Sequence, residues 1–315
     1  MKFLSFEKFL VFHSTKVYFT IIFDMIFTDD SQIPKVKTIV NNYRLDYLIV
    51  NTCSSVIFNA RDITTGDQKV LKFIKRFNGK EQRIKNEIDI MSNCKHPNIV
   101  QIKEDFSYMQ FHVLVLDFTP FRCLYTFIHG QYSQGLPEKT AKIMFYQLLD
   151  GLNYLHSQGI GHIDIKTGNF LVKNGDLDNP VVQLTDFGYA QSLPEGKLSS
   201  EFIGTPVYSA PEMYTKTKYS KAVDMWSMGV CLYEMLSGQM PWPSSSKKET
   251  LISILLGKFN FDSPAWSTIS EEAKDLIKQL ICVNPRKRLT AKEAMNHPWF
   301  KDVYNGSWGH FNQSN

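Results

Sequence analysis

The sequence predicts an α+β chain of two lobes: a small antiparallel-sheet lobe carrying one long helix, then a larger, mainly helical lobe. Three observations carry this. Short alternating apolar stretches crowd residues 43–118, a single helical period interrupts them, and helical periodicity dominates after Pro120. The length of 315 residues exceeds what one core usually supports.

Tyr43 to Val50, Ser55 to Arg61 and Lys69 to Ile74 read as a three-strand meander, the last entered through the Thr64-Thr65-Gly66-Asp67 turn. Ile84, Ile88 and Met91 then recur on one helical face, with Glu87 at the edge of the stripe. Val100 to Phe106 and Phe111 to Phe118 close the small lobe as two more strands. In the large lobe, Glu138 to Ser157 is an amphipathic helix opened by Pro137 and stopped at Gly159. Asp224 to Leu236 ends at Gly238, and Ser270 to Ile281 opens on Ser270 followed by Glu271 and Glu272.

The expected boundaries are an N-terminal extension at 1–42, a domain at 43–300 divided near 118, and a short tail at 301–315. Phe9 to Phe27 is apolar but interrupted by His13, Lys16 and Asp24, so no uncharged run is long enough to span a membrane. It is expected to be an extension packing on the domain, with a mobile or interfacial segment and a signal anchor as alternatives, and with Met25 as an internal start that would leave part of it out of the mature protein. A net charge of +4 without a basic run argues against a nucleic-acid partner. Five scattered cysteines outside metal-ligand spacing suit a reducing, intracellular compartment.

The chemistry concentrates in His162-Ile163-Asp164-Ile165-Lys166-Thr167-Gly168-Asn169, followed by Asp186-Phe187-Gly188. A carboxylate, an ammonium, an amide and a second carboxylate are groups that phosphoryl transfer from a Mg-nucleotide can use. Lys72 on an apolar strand and Glu87 on the following helix make a candidate ion pair, though taken alone such a pair is more often a surface one.

Together with Ala210-Pro211-Glu212, these elements in fixed order resemble a eukaryotic protein kinase domain over about Tyr43 to Phe300. Asp164-x-Lys166-x-x-Asn169 and Gly204 to Glu212 resemble the serine/threonine subgroup, closest in flavour to the calcium/calmodulin-dependent branch. Asp224 to Gly229, Arg286 after Asn284-Pro285, and His297 to Phe300 also match.

The resemblance implies Asp164 as the group that orients the acceptor hydroxyl and takes its proton. It implies Lys166 on the transferring phosphoryl group, Lys72 paired to Glu87 on the nucleotide phosphates, and Asn169 with Asp186 on Mg2+. Thr205 would tie the substrate loop to the catalytic loop, Asp224 would pin the catalytic-loop backbone, and Glu212 with Arg286 would form a buried ion pair. Val50, Ser55, Ile57, Val70 and Leu171 would border the nucleotide, with Leu116 as gatekeeper and Asp117 to Thr119 as hinge. His162, Phe187 and Met91 match the family's internal spine. ATP and Mg2+ are the implied cofactors and proteins the implied substrates; a cytoplasmic monomer without stable membrane insertion is expected.

Three departures qualify this. Val50, Thr52 and Ser55 stand where the family has three glycines whose amides approach the phosphates, so a looser phosphate grip is expected. Ile163 replaces the arginine that meets an activation-loop phosphate, and Glu201 occupies the phosphate position, so both halves of that switch are missing. Cys123 and Gly168 replace carboxylates that receive substrate arginines, which predicts no marked basic preference. A pseudokinase scaffold is the alternative reading. A small-molecule kinase is disfavoured by the complete 204–212 segment, and nothing after Phe300 resembles a calmodulin-binding helix.

Overall fold

The computed structural model describes residues 33–302 apart from 53–54, 77–80, 121–122, 216 and 243–244. The expectations for the extension up to residue 32, and for the tail beyond 302, lie outside the described residues.

The small lobe is a six-stranded antiparallel sheet of β1 (Ile39–Val40), β2 (Tyr43–Asn51), β3 (Ser55–Asp62), β4 (Gln68–Lys75), β5 (Ile102–Tyr108) and β6 (Phe111–Asp117), in the order β1-β2-β3-β4-β6-β5. Alternation sorts its side chains onto two faces. Val56, Phe58 and Ala60 of β3 join Leu71 and Phe73 of β4 and Val113 and Val115 of β6 in an outer core. There Phe73 meets Phe58 and Phe111 edge-on, at centroid distances of 5.6 and 5.7 Å. The other face carries Ile57, Val70, Lys72 and Leu116, aligned across the strands as Ile57–Lys72 and Val70–Leu116. Helix α1 (Glu81–Asn93) buries Ile84, Glu87 and Met91. Glu87 is therefore in the centre of the buried stripe, because it has a partner there, whereas Ile88 is only half-buried.

The large lobe comprises α2 (Leu124–Gln131), α3 (Glu138–Ser157), β7 (Ile160–Gly161), β8 (Phe170–Asn174), β9 (Val181–Leu184), β10 (Gln191–Ser192), α4 (Pro211–Tyr214), α5 (Ala222–Ser237), α6 (Lys247–Leu256), α7 (Glu271–Leu280) and α8 (Ala291–Met295). Strands β8 and β9 form one hairpin, and β7 pairs with β10. Helix α5 is buried along almost its whole length, which explains why its sequence is apolar all round. It stops where Gly238 turns left-handed at φ 65°.

The Glu138 carboxylate fastens three distant points together. It accepts from the Ser270 backbone N–H at 2.9 Å, from the Ser270 hydroxyl and from Trp299 Nε1 at 2.7 Å. Burial pushes its pKa up, but these donors outweigh burial and hold it below the ordinary glutamate value. A depressed folded-state pKa means the contribution is complete above the unfolded value of about 4.3 and fades as pH falls below it. Glu138→Gln is expected to cost about 1–3 kcal/mol at neutral pH. In urea denaturation, its deficit relative to wild type should narrow on acidification; an equal gap at all pH values would contradict this.

The buried ion pair of the large lobe corrects one expectation. Glu212 pairs with Arg288, through Nη1 at 2.8 Å and Nη2 at 3.1 Å, and not with Arg286. Arg286 is exposed in the turn after Asn284, whose side chain accepts its backbone N–H. Two residues later the chain has turned inward, so the Arg288 guanidinium is fully enclosed, with Cys282 O accepting from Nε and Trp226 beneath it.

Candidate active site

The sheet face bearing Lys72 and the loops after β7 and β9 meet at a cleft. Lys72 Nζ lies 2.6 Å from Glu87 Oε1 and 2.7 Å from Asp186 Oδ1. Burial works against the ammonium, but the Asp186 and Glu87 carboxylates outweigh it and raise the Lys72 pKa above the lysine norm. For Asp186, burial alone would raise the pKa; the Lys72 charge prevails and lowers it to about 2. Glu87 is pushed upward, by burial first and then by Asp186, against the pull of Lys72. The Asp186 side chain keeps 41% exposure, so solvent screens part of its attraction.

Asp186 sits at φ 65°, in the left-handed region, followed by Phe187, which is fully buried 5.1 Å from the His162 ring. Met91 lies in the same cluster of buried residues as Phe187. Of the expected His162, Phe187 and Met91 packing, the His162–Phe187 contact is present.

Asp164 is 3% exposed, and its oxygens are divided among three donors. Thr205 Oγ1 donates to Oδ1 at 2.7 Å, while Lys166 Nζ at 2.7 Å and Asn169 Nδ2 at 3.1 Å reach Oδ2. Lys166 also donates to Thr205 Oγ1 at 2.8 Å. Residues 164, 166, 169 and 205 therefore form one hydrogen-bonded unit with a carboxylate at its centre. Gly204 is required for this closure: at φ 92°, a Cβ there would stand 2.7 Å from Ile163 O.

Asp224, buried on α5, aims that loop. Its carboxylate accepts from the backbone N–H groups of His162 at 2.8 Å and Ile163 at 2.7 Å, with His156 Nε2 at 2.9 Å. Ile163 itself is held at φ 68°, a strained conformation for a β-branched residue.

The donor set suits a small hard cation. Asn169 turns its amide nitrogen to Asp164 O and Oδ2, which leaves its carbonyl oxygen for other use, and Asp186 keeps Oδ2 beyond the Lys72 contact. One carboxylate and one amide oxygen, completed by substrate phosphates and water, match the way Mg2+ is usually held.

The remaining expected residues divide. Val70 lies opposite Leu116, Ile57 opposite Val50 and Lys72, and Leu171 bridges to Cys123. Asp117 and Thr119 follow at the end of β6. Asp117 has its carboxylate turned to Lys69 and Lys103 at 3.4 and 3.2 Å. Ser55 differs most from a phosphate cradle: its backbone N–H donates to Thr52 Oγ1 at 3.0 Å, and the Thr52 N–H donates to Ser55 O at 2.9 Å. The two strands stay paired up to Asn51 and Val56, giving a closed hairpin whose Ser55 amide is already used.

A network that the sequence reading missed lies under the catalytic loop. Glu234 of α5 is 2% exposed and accepts from Thr167 Oγ1 at 2.8 Å and Tyr208 Oη at 2.6 Å, with His129 Nε2 at 2.9 Å. Its available signal was an acid in the middle of the apolar run Val230 to Leu236.

Comparison with known proteins fits this geometry. A family model described as protein kinase domain matches residues 52–300. The chain is 38% identical over 235 residues to calcium/calmodulin-dependent protein kinase type 1 of Macrobrachium nipponense, covering 74% of this chain and 65% of that protein. It is 34% identical over 256 residues to death-associated protein kinase 2 of Mus musculus, covering 79% and 69%. A probable serine/threonine-protein kinase, fhkE of Dictyostelium discoideum, is 38% identical over 234 residues, covering 73% of this chain and 33% of its own. The chain thus spans between one third and about seven tenths of these relatives. It belongs to the protein kinase domain family.

Proposed function

We propose that this protein transfers the γ-phosphoryl group of Mg-ATP to serine and threonine hydroxyls of protein substrates. The observation that carries the reading is the Asp164–Lys166–Thr205–Asn169 unit facing Lys72, Glu87 and Asp186 across one cleft. Bound with the nucleotide, Mg2+ would neutralise charge on the phosphate oxygens. Asp164 would orient the acceptor hydroxyl and take its proton, and Lys166 would turn from Asp164 to the moving phosphoryl oxygens. Lys72, kept charged by its carboxylates, would hold the phosphates. The relatives named above support serine and threonine as acceptors, and the intact donor set disfavours a scaffold without turnover. Incubation with labelled Mg-ATP and a generic protein should yield phosphoserine and phosphothreonine; label no higher than with Asp164→Asn would overturn the proposal.

Activity is expected without a phosphate on the activation segment. Ile163 is buried where no phosphate can be met, and Glu201 is held by neutral contacts, from Gln191 Nε2 at 3.2 Å and from Tyr219 Oη to its carbonyl at 2.8 Å. Ser199 is already paired through its backbone to Tyr219. Phosphatase treatment of the pure protein should leave its rate within about twofold, against the 10²-fold or greater losses that follow removal of a required charge; abolition would refute this.

Substrate choice should show little preference for arginine. Cys123 and Gly168 offer no carboxylate, and Glu234 has its oxygens engaged by Thr167, Tyr208 and His129. A peptide library that selected arginine three residues upstream of the acceptor would contradict it.

A further inference from the structure

We propose that the cavity behind the hinge is a docking site for an acidic peptide segment of a partner protein. The cavity, of about 280 Å³, lies among the His96–Pro97 turn, the start of β5, the end of β6 and the β8–β9 hairpin. Because β5 flanks β6 on the edge opposite β4, this opening is across the hinge from Val70 and Lys72, and it borders the nucleotide slot through Leu171 and the hinge residues Asp117 and Thr119.

Its charge is one-sided. Lys95, Lys103 and Lys173 line it and are exposed, against the single carboxylate of Asp117. That carboxylate is neutralised by Lys69 at 3.4 Å and Lys103 at 3.2 Å. Among the described residues no carboxylate pairs with Lys95 or Lys173. The three lysines are far apart in sequence, so no basic run announces them; the fold assembles the patch.

The occupant's chemistry follows from the lining. Unpaired ammonium groups call for carboxylates or phosphates. Lys95 after α1, Lys103 on β5 and Lys173 on β8 come from three separate elements and call for several anionic groups on one chain, which a peptide supplies and a simple anion does not. Phe, Tyr and Trp are absent from the lining, so the stacking platform that single-stranded nucleic acid uses is missing.

The test is fluorescence anisotropy of a fluorescein-labelled glutamate-rich peptide, with its glutamine counterpart, inorganic phosphate and a single-stranded oligonucleotide as competitors. Lys95→Glu combined with Lys173→Glu should weaken peptide binding by at least about tenfold. The charge-matched pair Lys218→Glu and Lys287→Glu, at exposed lysines outside the cavity, should change it less than about twofold. Thermal denaturation checks that both variants are folded. Equal weakening in the two variants, no binding by wild type, or competition by phosphate or the oligonucleotide as effective as by peptide would overturn the proposal. The readout needs no turnover, so its failure and a failure of the kinase reading are distinguishable.

Discussion

Asp164→Asn is expected to lower kcat by about 10²–10⁴-fold, with little change in nucleotide affinity or in fold. The substitution keeps the shape of the side chain, but its single amide oxygen can accept at only one of the two positions, which Thr205 and Lys166 now fill on separate carboxylate oxygens at 2.7 Å. It removes the negative charge that would draw the proton from the acceptor and that positions the Lys166 ammonium. Steady-state kinetics with protein substrate, alongside nucleotide binding, separates the two parameters. A variant with unchanged kcat would remove Asp164 from the chemistry; one that lost nucleotide binding instead would make its role structural.

The second large effect is on stability. Arg288→Leu should destabilise the protein by about 3–5 kcal/mol, because it strands the Glu212 carboxylate in a buried site. The fully enclosed guanidinium also serves Cys282 O and Ala222 O, so these carbonyls lose their donors as well. Arg286→Ala, two residues away in an exposed turn, should stay within about 0.5 kcal/mol of wild type. Urea denaturation of the two variants decides between them. Similar losses would mean that the pair is not the anchor its geometry suggests.

Much of this architecture was legible because it depends on local rules. The helix over Glu138–Ser157 begins and ends as its Pro137 and Gly159 signals imply, and the strands of the meander fall within a residue or two of their alternating runs. The order of the chemical groups was equally readable, since each needs a particular residue type at a particular spacing. What escaped depends on long-range partners. Nothing local distinguishes Arg288 from Arg286; only the inward turn of the chain after Pro285 decides which one meets Glu212. Glu87 looked peripheral to its helix stripe because its partner lies on another strand. The Glu234 network and the lysines behind the hinge draw on residues from several elements, so no window of sequence contains them.

The hairpin at Thr52–Ser55 bears most heavily on activity. Its Ser55 amide is bonded within the turn, so on the proposed function it would not be free to meet a phosphate, and the nucleotide would depend more on Lys72, Asp186, Asn169 and Mg2+. The most direct test of the whole account is turnover of ATP by the wild-type protein as a function of ATP and Mg2+ concentration. Saturable, Mg2+-dependent transfer to protein hydroxyls is expected, with a KM for ATP at or above about 1 mM, the upper end of the usual range. Absence of transfer at any ATP and Mg2+ concentration, in a protein shown to be folded, would contradict it.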